Sequence, residues 1–77
     1  MMERELSLID RLTPRELKVL RSVSEGKTNW EIGRILGCST ETVKKHLDRA
    51  YRKLGVEKRI AAVRYLQEHD DSSLQAA

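Results

Sequence analysis

The sequence predicts an all-α fold of four short helices, and three observations carry that prediction. Apolar residues recur at helical spacing in four separate stretches. Thr–x–x–Glu pairs open two of these stretches, and Gly26, Gly37 and Gly55 follow the ends of three. Only Gly37, Cys38 and Ser39 stand between the second stretch and the third, which leaves room for a tight turn and nothing longer.

Residues 1–11 carry a ragged pattern of Leu6, Leu8 and Ile9 and read as a lead-in or linker. The first helix is expected over about 14–25. Thr13 can cap it, Pro14 fits the first helical position where no amide is needed, and Glu16 completes a capping box. Leu12 and Leu17 form a hydrophobic staple, and Leu17, Leu20 and Val23 continue as an apolar stripe. Thr28 with Glu31 opens the second helix, about 29–36, whose apolar faces come from Trp30, Ile32, Ile35 and Leu36. Trp30 is expected in the core or as a brace. Gly33 inside so short a helix costs about 1 kcal/mol against alanine, which points to close approach by the next helix. Ser39 caps the third helix, about 40–54, with Val43, Leu47, Ala50, Tyr51 and Leu54 on one face. The fourth, about 57–68, is apolar on several sides. Ile60 and Val63 are expected to face the core, leaving Ala61, Ala62, Tyr65 and Leu66 as a second, shallower patch. Residues 70–77 read as a flexible tail, so the domain spans 12–69.

Composition narrows the function. With 77 residues the chain holds one domain. No stretch approaches the roughly 20 apolar residues of a membrane span, and no cationic start precedes an apolar run. A cytoplasmic protein without a membrane partner is expected, and the single Cys38 suits a reducing compartment and a small packing role. There is no nucleophile–base pair, metal cluster or phosphate loop, so neither an enzyme nor a cofactor is expected. The net charge of +3 is unevenly spread. Residues 1–26 balance five basic against five acidic side chains, whereas residues 27–59 hold nine basic and four acidic ones, a local excess of +5. A polyanion would dock on that middle third.

Two helices joined by a three-residue turn with glycine form a helix-turn-helix, in which the first helix braces the backbone and the second lies in the major groove of DNA. The third helix suits that task. With its apolar stripe centred on Val43, the side chains of Glu41, Lys44, Lys45, Asp48, Arg49 and Arg52 fall on the far side. Lysine and arginine can donate to guanine edges, and carboxylates can accept from cytosine. Base contacts are therefore expected from Lys44, Lys45, Asp48 and Arg49. Thr28, Asn29, Thr40 and Thr42 cluster at two helix N-termini, and there, with His46 and Arg52, phosphate contacts are expected.

Leu12-Thr13-Pro14-Arg15-Glu16, Glu25-Gly26-Lys27-Thr28-Asn29 with Glu31-Ile32, Ser39, Thr42-Val43-Lys44, His46 and Lys53-Leu54-Gly55-Val56 with Arg59 and Ala62 together resemble the LuxR/GerE-type DNA-binding domain of bacterial transcriptional regulators. The resemblance covers roughly residues 12–66. It implies a compact four-helix helix-turn-helix domain that binds double-stranded DNA, with the third helix reading the major groove. It places Lys44, Lys45 and Asp48 at base-contacting positions and Thr42 and His46 near phosphates. It implies a homodimer through the fourth helix on two-fold-related half-sites, for which Ala61, Ala62, Tyr65 and Leu66 are the expected surface; a monomer or weak dimer is expected without DNA. Glu57-Lys58 lacks the Ser or Asn cap common in this family, so the first turn of the fourth helix is expected to fray. RNA polymerase and an N-terminal sensor or receiver domain in a longer parent chain are further partners of such domains. The alternatives are a sigma-factor region-4-like module touching promoter and polymerase, and a helical domain that binds only protein.

Overall fold

The computed structural model describes residues 7–69. A single 3-10 turn, Leu8–Arg11, precedes four helices: α1 (Pro14–Ser24), α2 (Asn29–Leu36), α3 (Thr40–Leu54) and α4 (Arg59–His69). No strand occurs among the described residues, so the chain is all-α as its periodicity predicts. No helix among them is long and apolar enough to cross a membrane. The first six residues and the tail expected at 70–77 lie outside the described residues.

Both capping boxes form. The Thr13 hydroxyl accepts from the Glu16 amide at 3.1 Å, and the Glu16 carboxylate accepts from the Thr13 amide at 3.0 Å. Thr28 and Glu31 repeat the exchange at 3.1 and 2.8 Å. Each box satisfies two amides that a helix start would otherwise leave without partners. The α2–α3 turn needs Gly37, whose φ of 73° lies in the left-handed region, and the Cys38 amide donates back to the Gly33 carbonyl at 2.9 Å. The turn folds so closely over α2 that a methyl group on Gly33 would sit 2.7 Å from the Cys38 carbonyl oxygen. The close approach expected at Gly33 is thus made by the turn backbone.

The core gathers one stripe from each element: Ile9 and Leu12 from the lead-in, Val19, Leu20 and Val23 from α1, Ile32 from α2, Val43, Leu47, Ala50 and Leu54 from α3, and Ala62 and Leu66 from α4. α1 packs against α3 and α4, and α2 leans on α3. Leu17 and Tyr51 are half-buried against this core.

Four expectations need correcting. The end of the lead-in is structured: Ser7 caps the 3-10 turn, Ile9 is buried, and the Leu8 amide donates to the Tyr65 hydroxyl on α4 at 2.9 Å. Second, α4 begins at Arg59, two residues later than expected. Third, α4 turns the other way. Ala62 and Leu66 are buried, whereas Ile60 is 71% exposed. Ile60 lies about 160° around the helix from Ala62, so burying one turns out the other. The Ala62 methyl lets the helix axes approach, and the longer Leu66 side chain fills the space one turn on. Hence Ala62 and Leu66 belong to the core and not to an open surface; Ala61 and Tyr65 stay half-exposed. Fourth, Trp30 is 62% and Ile35 56% exposed. A helix of two turns buries one narrow stripe, here Ile32 and Gly33 with Leu36 beside them. Trp30 lies about 160° around the helix from Ile32, and the Arg34 guanidinium covers its ring at 5.1 Å from the centroid.

Candidate nucleic-acid interface

α3 is sorted by its own periodicity. Val43, Leu47, Ala50 and Leu54 are buried, and Lys44, Lys45, Asp48, Arg49 and Arg52 are all exposed. The four residues expected at bases therefore share a solvent face whose orientation is set by a packed stripe on the opposite side. α2 and the turn at Gly37 pack against that helix from one side.

The N-termini of α2 and α3 stand beside this face. The Ser39 hydroxyl accepts from the Thr42 amide and lies 3.1 Å from the Thr42 hydroxyl. Only one of these two hydroxyl protons can lie between the oxygens, which leaves the other to donate outward. Thr28 likewise keeps its proton while accepting from Glu31. Thr40, Thr42, Asn29 and His46 are half-exposed. The His46 Nδ1 is buried with no hydrogen-bond partner, so Nε2 is the nitrogen that can meet a phosphate.

Arg59, the first residue of α4, bridges the elements. Its Nη1 donates to the Asn29 Oδ1 at 2.9 Å, and its Nη2 donates to the Lys27 carbonyl at 3.0 Å. The same guanidinium lies near Tyr51 on α3; burial pushes the Tyr51 phenol above its ordinary pKa, and Arg59 opposes that shift. Asn29, Lys44, Leu47, Asp48, Tyr51 and Arg59 line one open cleft of about 380 Å³. Sequence reasoning placed Arg59 in a motif but gave it no role, because its two acceptors lie some thirty residues away in the chain.

A further long-range bond fixes the far end of α3. The Lys53 ammonium donates to the Glu16 carboxylate at 2.7 Å, and the Glu16 side chain is 4% exposed. Burial opposes ionisation of Glu16, but Lys53 and the Thr13 donors outweigh it and hold the carboxyl below its ordinary pKa. One carboxylate thus caps α1 and anchors α3 to it.

Among the described residues no group of His, Cys, Asp and Glu could hold a metal ion. The surface offers hydroxyl donors, cations and the carboxylates of Glu41 and Asp48, a chemistry suited to a polyanion with readable edges.

Comparison with known proteins agrees with that chemistry. A family model described as bacterial regulatory proteins, luxR family, matches residues 10–66. The HTH-type quorum sensing-dependent transcriptional regulator RpaR of Rhodopseudomonas palustris is 52% identical over 54 residues, 70% of this chain and 22% of that protein. The transcriptional activator protein BjaR1 of Bradyrhizobium diazoefficiens is 51% identical over 53 residues, 69% and 22% of the two chains. The nitrate/nitrite response regulator protein NarP of Escherichia coli is 43% identical over 58 residues, 74% and 27% of the two chains. The chain spans between about a fifth and a third of the length of the relatives that it matches.

Proposed function

The chain belongs to the luxR family of bacterial regulatory proteins, and from that premise we propose that it reads double-stranded DNA with α3 in the major groove. The family consists of transcription regulators and not enzymes, so DNA binding in transcription regulation is the activity to be explained. Lys44, Lys45, Asp48 and Arg49 meet base edges; Thr28, Asn29, Thr40, Thr42, His46 and Arg52 meet phosphates. The observation that carries this reading is the division of α3 into a buried apolar face and an exposed face holding every expected base-contacting residue.

Two copies bind one two-fold-related site, pairing through the exposed side of α4. The half-sites lie about one helical turn apart, so the duplex supplies the effective concentration that the small α4 surface does not. In a longer parent chain a sensor or receiver domain governs this pairing, and RNA polymerase meets the assembled pair in the bacterial cytoplasm.

Selection of bound sites from a random duplex pool tests the reading. Lys44→Ala and Lys45→Ala should each cost about 1–3 kcal/mol on the selected site, with a smaller loss on random duplex. Equal losses on both duplexes would make the two lysines mere phosphate counter-charges and remove base reading from this face.

A further inference from the structure

Arginine carries only donors, so it dictates how its partners are oriented. Asn29 must present its oxygen to the Arg59 Nη1, which turns the amide nitrogen and its two protons away from Arg59. The second arm of the same planar fork grips the Lys27 carbonyl, just ahead of the Thr28 cap. The segment leading into α2 is thereby fastened to the start of α4, with Tyr51 of α3 alongside. Asn29 opens into the cleft it shares with Lys44 and Asp48.

We propose that Arg59 is a positioning residue for DNA binding: it locks the Asn29 amide so that Nδ2 donates to a phosphate bordering the groove that α3 reads. The inference rests on the DNA-binding reading above. Two other roles are open to an exposed arginine on this face. It could neutralise a phosphate directly, but two of its donors are already committed within the protein. It could serve only to stabilise the fold, but both bonds are solvent-exposed, where a hydrogen bond adds little net stability. Orienting one amide ahead of binding removes the cost of immobilising it at the interface, which raises affinity without any contact of its own.

The test uses the 77-residue chain with two labelled probes, a duplex selected from a random pool and a random-sequence duplex of equal length. Binding is measured across a salt series for Arg59→Gln, Arg59→Lys, Asn29→Ala and the Arg59→Gln/Asn29→Ala pair, with thermal unfolding of each as a check on folding. Wild-type binding to neither duplex would refute the DNA reading itself. Given wild-type binding, each single substitution should weaken it about fivefold. The pair should lose no more than one single, and the slope against salt should match wild type, because no phosphate cation is removed. Full affinity in Arg59→Lys, or a slope lowered by about one in Arg59→Gln, would make Arg59 a phosphate cation and overturn the proposal. Multiplying losses in the pair would overturn it too. A spectroscopic reading is independent of the variants: the Asn29 side-chain amide protons of the wild type should shift on adding duplex, and unshifted protons would refute the contact.

Discussion

Glu16 shows how one side chain couples local and distant structure. Its carboxylate receives the Thr13 amide within α1 and the Lys53 ammonium from α3. Glu16→Gln keeps the shape and one acceptor but loses the charge. It should destabilise the domain by about 1–2 kcal/mol near neutral pH, less than for a fully buried pair because Lys53 is 34% exposed. The folded carboxyl titrates below its ordinary value, so the unfolded chain takes up the proton first as pH falls. The ionised form therefore contributes fully above the unfolded carboxyl's pKa and is lost as pH drops through the folded one. Urea unfolding of wild type and Glu16→Gln at neutral pH and near pH 3 measures this; the gap between them should narrow in acid. A gap that is constant with pH would assign the stabilisation to shape and not to charge.

At the scale of elements, the α2–α3 turn leaves no room for a side chain at Gly33. Gly33→Ala should gain about 1 kcal/mol of helix propensity yet lose more, because the new methyl would stand 2.7 Å from a backbone oxygen that no side-chain rotation can move. A net destabilisation of about 1–3 kcal/mol is expected, with DNA affinity falling further than stability because the turn sets the angle of α3. Thermal unfolding and duplex titration of that variant check both parts, and a stabilised variant would show that the turn relaxes freely. This clash was legible in the sequence as a glycine placed where propensity argues against it. So were α1 and α3, whose caps and stripes agree. α4 was not, because Ile60, Ala61, Ala62, Val63, Tyr65 and Leu66 supply apolar residues on nearly every side and periodicity selects no single face. Only tertiary packing decides between Ile60 and Ala62. Trp30 misled for a related reason: apolar size argues for burial, but a two-turn helix has a single stripe to bury, and Ile32 occupies it. For the candidate interface, the cations were read from spacing along α3 and the hydroxyls from the N-termini of α2 and α3, whereas the link from Arg59 to Asn29 depends on elements far apart in the chain.

At the scale of the whole molecule, the proposed pairing needs a second surface besides the basic face of α3, and the exposed side of α4 is the one it would use. On α4 the exposed side consists of Ile60 and Arg64 with Glu68 two turns on from Ile60, flanked by half-buried Ala61 and Tyr65, and these five line one shallow groove. In a two-fold pair the same surface meets itself. An Arg64 and a Glu68 on each copy allow complementary charge contacts around a central Ile60. Tyr65 is a poor place to test this, because its hydroxyl holds the Leu8 amide and its ring stacks on His69 at 4.1 Å; replacing it would disturb the monomer. Ile60 touches no such network and is 71% exposed. Ile60→Asp should therefore leave thermal stability within about 0.5 kcal/mol of wild type and place like charges against each other across the pair. Sedimentation of the protein with a palindromic duplex should then show one copy per half-site binding independently, in place of a two-to-one complex formed in a single step. Binding to a lone half-site should be unchanged, because Ile60 does not line the α3 cleft. A two-to-one complex formed by Ile60→Asp as readily as by wild type would refute pairing through this side of α4.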